Sequence, residues 1–233
     1  MITHYPYENL GHANHSWLNA RHHFSFASYQ DPQRQQFGAL RVINDDVIKA
    51  GAGFDTHPHR NMEIITYVRK GAITHRDSNG NVGRTVAGDV QVMSAGSGVF
   101  HSEFNLESED TNIFQIWIEP NQLDVEPRWD SYEFPKEPTA DSLMLLVSGD
   151  GDAPLSIHQD AFIYAGHLCE GTQLTHQIKN QAYVLVSEGT LELEGRLLNK
   201  GDGLEVAELS SIKLKALNDT KVLVIDVPKN KTQ

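Results

Sequence analysis

The stretch HPHRNMEIITYV, residues 57–68, sets His57 and His59 one residue apart at the start of a β-branched, apolar run. GVFHSEFN, residues 98–105, sets His101 and Glu103 in the same relation. Side chains two apart on a strand point to one face. His57, His59 and Glu63 are therefore expected to look the same way, and His101, Glu103 and Asn105 to share a face of a second strand. If those faces meet inside a barrel, three imidazoles and one or two carboxylates converge. Such a set suits Fe, Mn, Co, Ni, Cu or Zn and leaves coordination positions open for substrate or dioxygen. A lone His-x-His is a weak signal. Its pairing with a His-x-Glu about forty residues later, both at period two and both after glycine-containing turns, makes a candidate metal centre.

Parity allows either Glu63 or Glu103 to complete the set. Glu63 lies six residues beyond His57, roughly 20 Å along an extended strand, whereas Glu103 sits beside His101, so spacing favours Glu103. In ARHHFSFASY, His22 and His23 precede the alternating Phe24 and Phe26, which reads as a half-buried strand with His22 either in it or near the mouth of the pocket. His4, His12 and His15 read as exposed or capping residues, and Arg60 and Met62 as packing or surface. His158, His167 and His176 are isolated from one another, so the second half of the chain cannot repeat the arrangement and is expected to be metal-free.

The elements that must position these residues are short. GALRVIND, MEIITYV, AITHRD, DVQVMSA and NIFQIWIE, then LMLLVSG, AYVLVSEG, TLELEG, SIKLKAL and KVLVIDVP, are rich in β-branched and aromatic residues and bounded by Gly, Asn and Asp. They predict an all-β chain, a sandwich or barrel. TYVRKGAIT then GDVQVMSAG is echoed by YVLVSEGTLEL then GDGLEVAEL, a coarse repeat that predicts two similar β-domains, residues 1–133 and 134–233. Residues 119–141, with four prolines and many charges, read as the linker.

Composition narrows the function classes. Of the 233 residues, 39% are hydrophobic and 21% charged, which is ordinary for a folded globular chain. The net charge of −12, without a basic cluster, argues against direct nucleic-acid or anionic-membrane binding. No apolar leader and no bilayer-length run are present, so a cytoplasmic protein is expected. Cys169 is the single cysteine, so a metal must be held by His, Asp or Glu. No G-x-S-x-G, P-loop or dinucleotide fingerprint is found.

Gly51, His57, His59 and Glu63 resemble the first cupin motif, and Gly88 through Asn105 the second. The second departs from the general form, with Ser94 where proline is usual and a longer gap from Gly96 to His101. That departure, with THPHRNMEIITYV, GDVQVMSAGSGVFHSE, HHFSFASY and LRVINDD, is similar to the pirin family over nearly the whole chain. The resemblance implies two tandem cupin barrels, a bicupin, with metal ligands at His57, His59, His101 and Glu103 and none at Glu63. It further implies one divalent transition metal, iron first, with Cu, Ni, Co, Mn or Zn as alternatives. The closest likeness is to short bacterial pirin-like proteins with quercetin 2,3-dioxygenase activity. The implied partners are a flavonol and dioxygen, Glu103 doubling as catalytic base, in a chain expected to be a monomer. The alternative that the same resemblance carries is a metal-dependent, redox-sensing regulator that acts on a protein partner.

Overall fold

The computed structural model describes residues 1–229. The chain is built almost wholly of antiparallel strands, as β-branched runs broken by turn residues require. It divides into two compact units.

The N-terminal unit comprises residues 11–135 with residues 154–159. Its larger sheet runs, in spatial order, Arg128–Tyr132, Val90–Ser94, Glu63–Lys70, Thr111–Ile118, Leu40–Ile48, Leu18–His22, Gly11–His15. The smaller sheet runs Gly53–His59, Val99–Phe104, Ala72–Asp77, Val82–Val86. Among the described residues, two apolar clusters join the sheets. One joins Leu18, Ile48, Val68 and Ile113 of the larger sheet to Ile73 and Phe54 of the smaller. The other joins Ile64 and Met93 to Val99. On the strand Glu63–Lys70 the buried Thr66 falls between Ile64 of one cluster and Val68 of the other, so a polar layer separates the two.

In the C-terminal unit, the strands Ile2–Tyr5, Gly203–Val206, Gln181–Glu188, Thr220–Val227, Phe162–Leu168 and Met144–Ser148 follow one another in one sheet. The second sheet is Gln173–Gln177, Ser211–Ala216, Thr190–Leu193, Arg196–Asn199. Leu174, Val184, Leu191, Leu214 and Val224 fill the core between them. Alternation is clean in Ser211–Ala216, whereas Thr220–Val227 is buried on both faces, as a central strand requires.

The expected division at 133/134 needs two corrections. Residues 1–10 belong to the C-terminal unit, because Ile2–Tyr5 pairs with the edge Gly203–Val206, from Ile2↔Val206 to Tyr5↔Gly203. There His4 Nε2 meets the Asp202 carboxylate at 3.0 Å and the Tyr7 N–H donates to it at 2.8 Å. Residues 154–159 pack with the N-terminal unit, where the His158 carbonyl accepts from the Asn121 N–H. The presumed linker is also partly structured: Arg128–Tyr132 adds to Val90–Ser94, its prolines lying outside that strand. Nor is HHFSFASY a strand. Leu18–His22 ends at His22, and the chain turns through Ala27, at φ 49°, to close a bridge between Phe26 and Tyr29.

Removing residues 2–9 is expected to expose the Gly203–Val206 edge and strip the buried Asp202 of two partners, lowering the thermal midpoint by roughly 5 °C or more. Thermal melts followed by circular dichroism check this, and an unchanged midpoint would show that the N-terminal strand is dispensable.

Candidate metal centre

His57 and His59 lie on Gly53–His59, and His101 on the adjacent Val99–Phe104, where His101 pairs directly with His57. That register brings His101 Nε2 to 3.1 Å from His57 Nε2. The donor nitrogens of His57, His59 and His101 all fall within 4.8 Å of one another. Two nitrogens each about 2.1 Å from one ion and at right angles stand about 3.0 Å apart, so the His57–His101 separation fits two ligands of a single first-row cation.

The hydrogen bonds around the rings set their tautomers. His57 Nδ1 donates to the Asp55 carbonyl at 2.6 Å, which leaves Nε2 a bare lone pair. His59 Nε2 is buried without any hydrogen-bond partner, the condition expected of a metal-seeking nitrogen. His101 is fixed through an intermediary that the spacing did not suggest, His75. The Nε2–H of His75 donates to Asp77 Oδ2 at 2.9 Å, and His75 Nδ1 faces His101 Nδ1 at 3.5 Å. With its own Nδ1 bare, His75 accepts the His101 Nδ1–H, and His101 Nε2 is left free for a metal. Burial would raise the Asp77 carboxyl, but hydrogen bonds from His75 and Asn81 outweigh it and hold the group below its usual value. Trp129 stacks on His75 at 5.0 Å and 11°. The only sequence signal for this dyad was the same period-two spacing, His75 and Asp77, on a buried strand.

Desolvation, then the neighbouring imidazoles, lowers His59 to about 4 and His101 to about 3. Both rings are therefore neutral at neutral pH, as ligation requires.

Glu103 is buried, at 1% exposure, on the same face as His101. Three donors from three strands of the facing sheet hold its carboxylate. Thr66 Oγ1 and Gln91 Nε2 donate to Oε1 at 3.1 and 2.7 Å, and Gln115 Nε2 donates to Oε2 at 2.7 Å. Gln115 in turn accepts from the Trp117 indole N–H, and Trp117 packs edge-on to His59 at 5.0 Å. Gly53 is required opposite, because a Cβ there would overlap the Glu103 carbonyl oxygen.

The structure separates the other candidates. Glu63 does not share a strand or a face with His57 and His59, contrary to the parity expectation. The backbone turns at Arg60–Met62, with Asn61 at φ 50° and Arg60 and Asn61 tied to Asp124. Glu63 then starts a strand of the larger sheet, where Ser94 Oγ donates to Oε2 at 2.7 Å and burial raises its carboxyl. Asn105 is buried but structural: its amide donates to the carbonyls of Ile48 and Glu109. Arg60 is exposed beside Asp124 and Met62 packs on the Ile64–Met93 cluster. His22 is buried and lines the cavity described below, while His23 is buried in a turn. His158 belongs to the N-terminal unit, His167 pairs with Asp219, and His176 is buried alone against Tyr164.

A cavity of about 590 Å³ opens beside the imidazoles, with His57 and His59 in its wall and Trp17, Phe26, Phe54 and Trp117 around it. Its size falls within the ~300–1,000 Å³ usual for small-molecule sites. Among the described residues no helix is long and apolar enough to cross a membrane.

The chain is similar to known proteins over nearly its whole length. Residues 4–118 match the family model Pirin, and residues 145–227 match the model of a quercetinase C-terminal cupin domain. A pirin-like protein of Caulobacter vibrioides is 49% identical over 231 residues, covering 97% of this chain and 99% of its own. The quercetin 2,3-dioxygenase of Escherichia coli K12 is 43% identical over 222 residues, 94% of this chain and 95% of its own. The crystal structure of the bacterial pirin YhhW from Escherichia coli in complex with nickel(II) superposes with a TM-score of 0.92 at 41% identity, covering 98% of this chain and all of that one. With this chain-long identity, two barrels in tandem and three imidazoles converging in the first, the chain belongs to the pirin family of bicupins.

Proposed function

We propose that this protein is a metal-dependent dioxygenase that opens the central ring of a flavonol such as quercetin, consuming dioxygen and releasing carbon monoxide. The observation that carries the reading is the open cavity of about 590 Å³, part aromatic, that reaches two of the three imidazoles. A redox-sensing regulator needs no such access for an organic ligand. The names of the relatives support the same substrate class.

His57, His59 and His101 would hold one divalent transition ion, with Glu103 as a fourth ligand or as the base beside it. When bound, the ion supplies Lewis acidity that favours the deprotonated flavonol and an open position for the reaction. The carboxylate of Glu103 has about four lone-pair positions. Three are taken by Thr66, Gln91 and Gln115, which leaves one on Oε2. That position can accept the flavonol 3-hydroxyl proton, or face the ion. The same three donors keep Glu103 from swinging away, so the base is pre-oriented. The walls of Trp17, Phe26 and Phe54 suit a flat ring system and exclude water from it.

Protein loaded in turn with Fe, Mn, Co, Ni or Cu is expected to bleach the near-visible absorbance of quercetin in air, well above metal-free protein and free metal. No bleaching by any stoichiometrically loaded form would remove the dioxygenase reading. Glu103→Gln is expected to cut turnover by about 10²-fold or more while retaining some metal, and unchanged turnover would exclude Glu103 as the base. His59→Ala is expected to lose the ion with the circular dichroism spectrum intact, because the apolar clusters that join the two sheets do not include His59. Retained stoichiometric metal would take His59 out of the ligand set. Asp77→Asn is expected to weaken metal affinity by about 10–100-fold through the His75–His101 link. Competition with a chelator measures it, and wild-type affinity would show that the dyad does not tune His101.

A further inference from the structure

The cavity beside the imidazoles contains a polar wall that metal binding does not use. Asp46 lies on Leu40–Ile48, 2% exposed, lines the cavity, and has a buried side-chain oxygen, Oδ1, with no hydrogen-bond partner. Its neighbour Asp45 points to the opposite face of the sheet. There Asp45 takes the cation, Arg69 at 2.6 Å, together with the Asn112 amide at 2.9 Å. The counter-charge that a buried aspartate needs is therefore spent on the other side of the strand.

Desolvation pushes the Asp46 carboxyl well above its usual range, and the charges of Asp45 and Glu103 push it the same way. A neutral carboxyl carries an O–H donor as well as acceptor capacity. Two residues earlier on the same face, Asn44 lines the same cavity. Its Oδ1 accepts from His22 Nδ1 at 2.7 Å, which leaves the amide nitrogen as a donor. His22 and Asn44 are register partners on adjacent strands, so the pair is held by the sheet itself. Asn44 and Asp46 thus form a row about 7 Å long on one strand, in a pocket whose other walls are largely aromatic and aliphatic.

We infer that Asp46, with Asn44 beside it, is the specificity wall of this cavity, hydrogen-bonding to hydroxyl groups of a flat, hydroxylated aromatic ligand whose other end faces the imidazoles. The inference rests on the flavonol reading for the class of ligand, but it concerns binding and not ring opening. An apolar residue of Asp46's size would fill the same space without leaving a buried oxygen unpaired, so the carboxyl is explained by a partner that arrives with the ligand. Asp46 would act as a positioning residue that reads hydroxylation, leaving the reacting atoms to the imidazoles and Glu103.

The test is an anaerobic titration of the protein as purified with quercetin and with flavone, which has the same ring system without hydroxyls. Quenching of tryptophan fluorescence reports binding, since Trp17 and Trp117 line the cavity. Asp46→Leu is expected to weaken quercetin binding by about tenfold or more and to leave flavone binding within about threefold. Asp46→Asn, which keeps a donor of similar shape, is expected to stay within about threefold of wild type for both ligands. Unchanged quercetin affinity in Asp46→Leu would overturn the inference. So would an equal loss for flavone, which would mark Asp46 as a packing residue, and so would no quercetin binding by the wild-type protein. Wild-type protein that binds quercetin, with the expected pattern in the variants, but never bleaches it in air would sink the dioxygenase reading and leave this one standing.

Discussion

Three unprotonated imidazole nitrogens facing one another in a desolvated space repel unless something positive lies between them or the surrounding structure holds them there. Here the holding is done before any ion arrives. Register pairs His101 with His57, so the 3.1 Å approach of their Nε2 atoms is fixed by backbone hydrogen bonds between two strands. The outer nitrogens are held by the Asp55 carbonyl on one side and by His75 and Asp77 on the other. Burial keeps His59 and His101 from relieving the crowding by protonation, since both titrate far below neutrality. The centre is a preorganised group of three imidazoles that could hold a cation, its geometry stored in the sheet.

The larger sheet answers that arrangement with a hydroxyl and two amides. Thr66, Gln91 and Gln115 come from three neighbouring strands, and all converge on Glu103. Any one of these residues would be an expensive buried polar group alone; together they satisfy one carboxylate and are satisfied by it. The apolar clusters on either side, around Val68 and Ile113 and around Ile64 and Met93, seal this network from water. A single scaffold therefore positions three distinct things: a cluster of three imidazoles, an oriented carboxylate, and an aromatic-walled cavity with its own polar edge.

Much of this was legible in the residues. Period-two spacing identifies His57, His59 and His101 because strands enforce that period, and the same rule puts His101 and Glu103 on one face, as observed. The rule failed at Glu63 for a physical reason: parity holds only while the strand continues, and the left-handed Asn61 ends it. All the strands read from β-branched runs are present. Two that were not legible, Ile2–Tyr5 and Gly11–His15, are short edge strands without an apolar pattern, specified by their partners, whereas Phe162–Leu168 is an internal strand that the reading passed over. Pairing of Ile2–Tyr5 with Gly203–Val206 depends on contacts two hundred residues apart, which no local pattern encodes. Gln91 and Gln115 carried no signal, and His75 only its spacing from Asp77, because all three matter only through what they touch.

The most direct test of the account is the position of the ion itself. Crystals of protein loaded with nickel, with diffraction recorded on both sides of the nickel absorption edge, would locate the metal without reference to activity. The expected result is one anomalous peak in the N-terminal barrel, within about 2.3 Å of Nε2 of His57, His59 and His101 together. A peak bound by fewer than three of these imidazoles, or a site elsewhere with these three rings left empty, would contradict it.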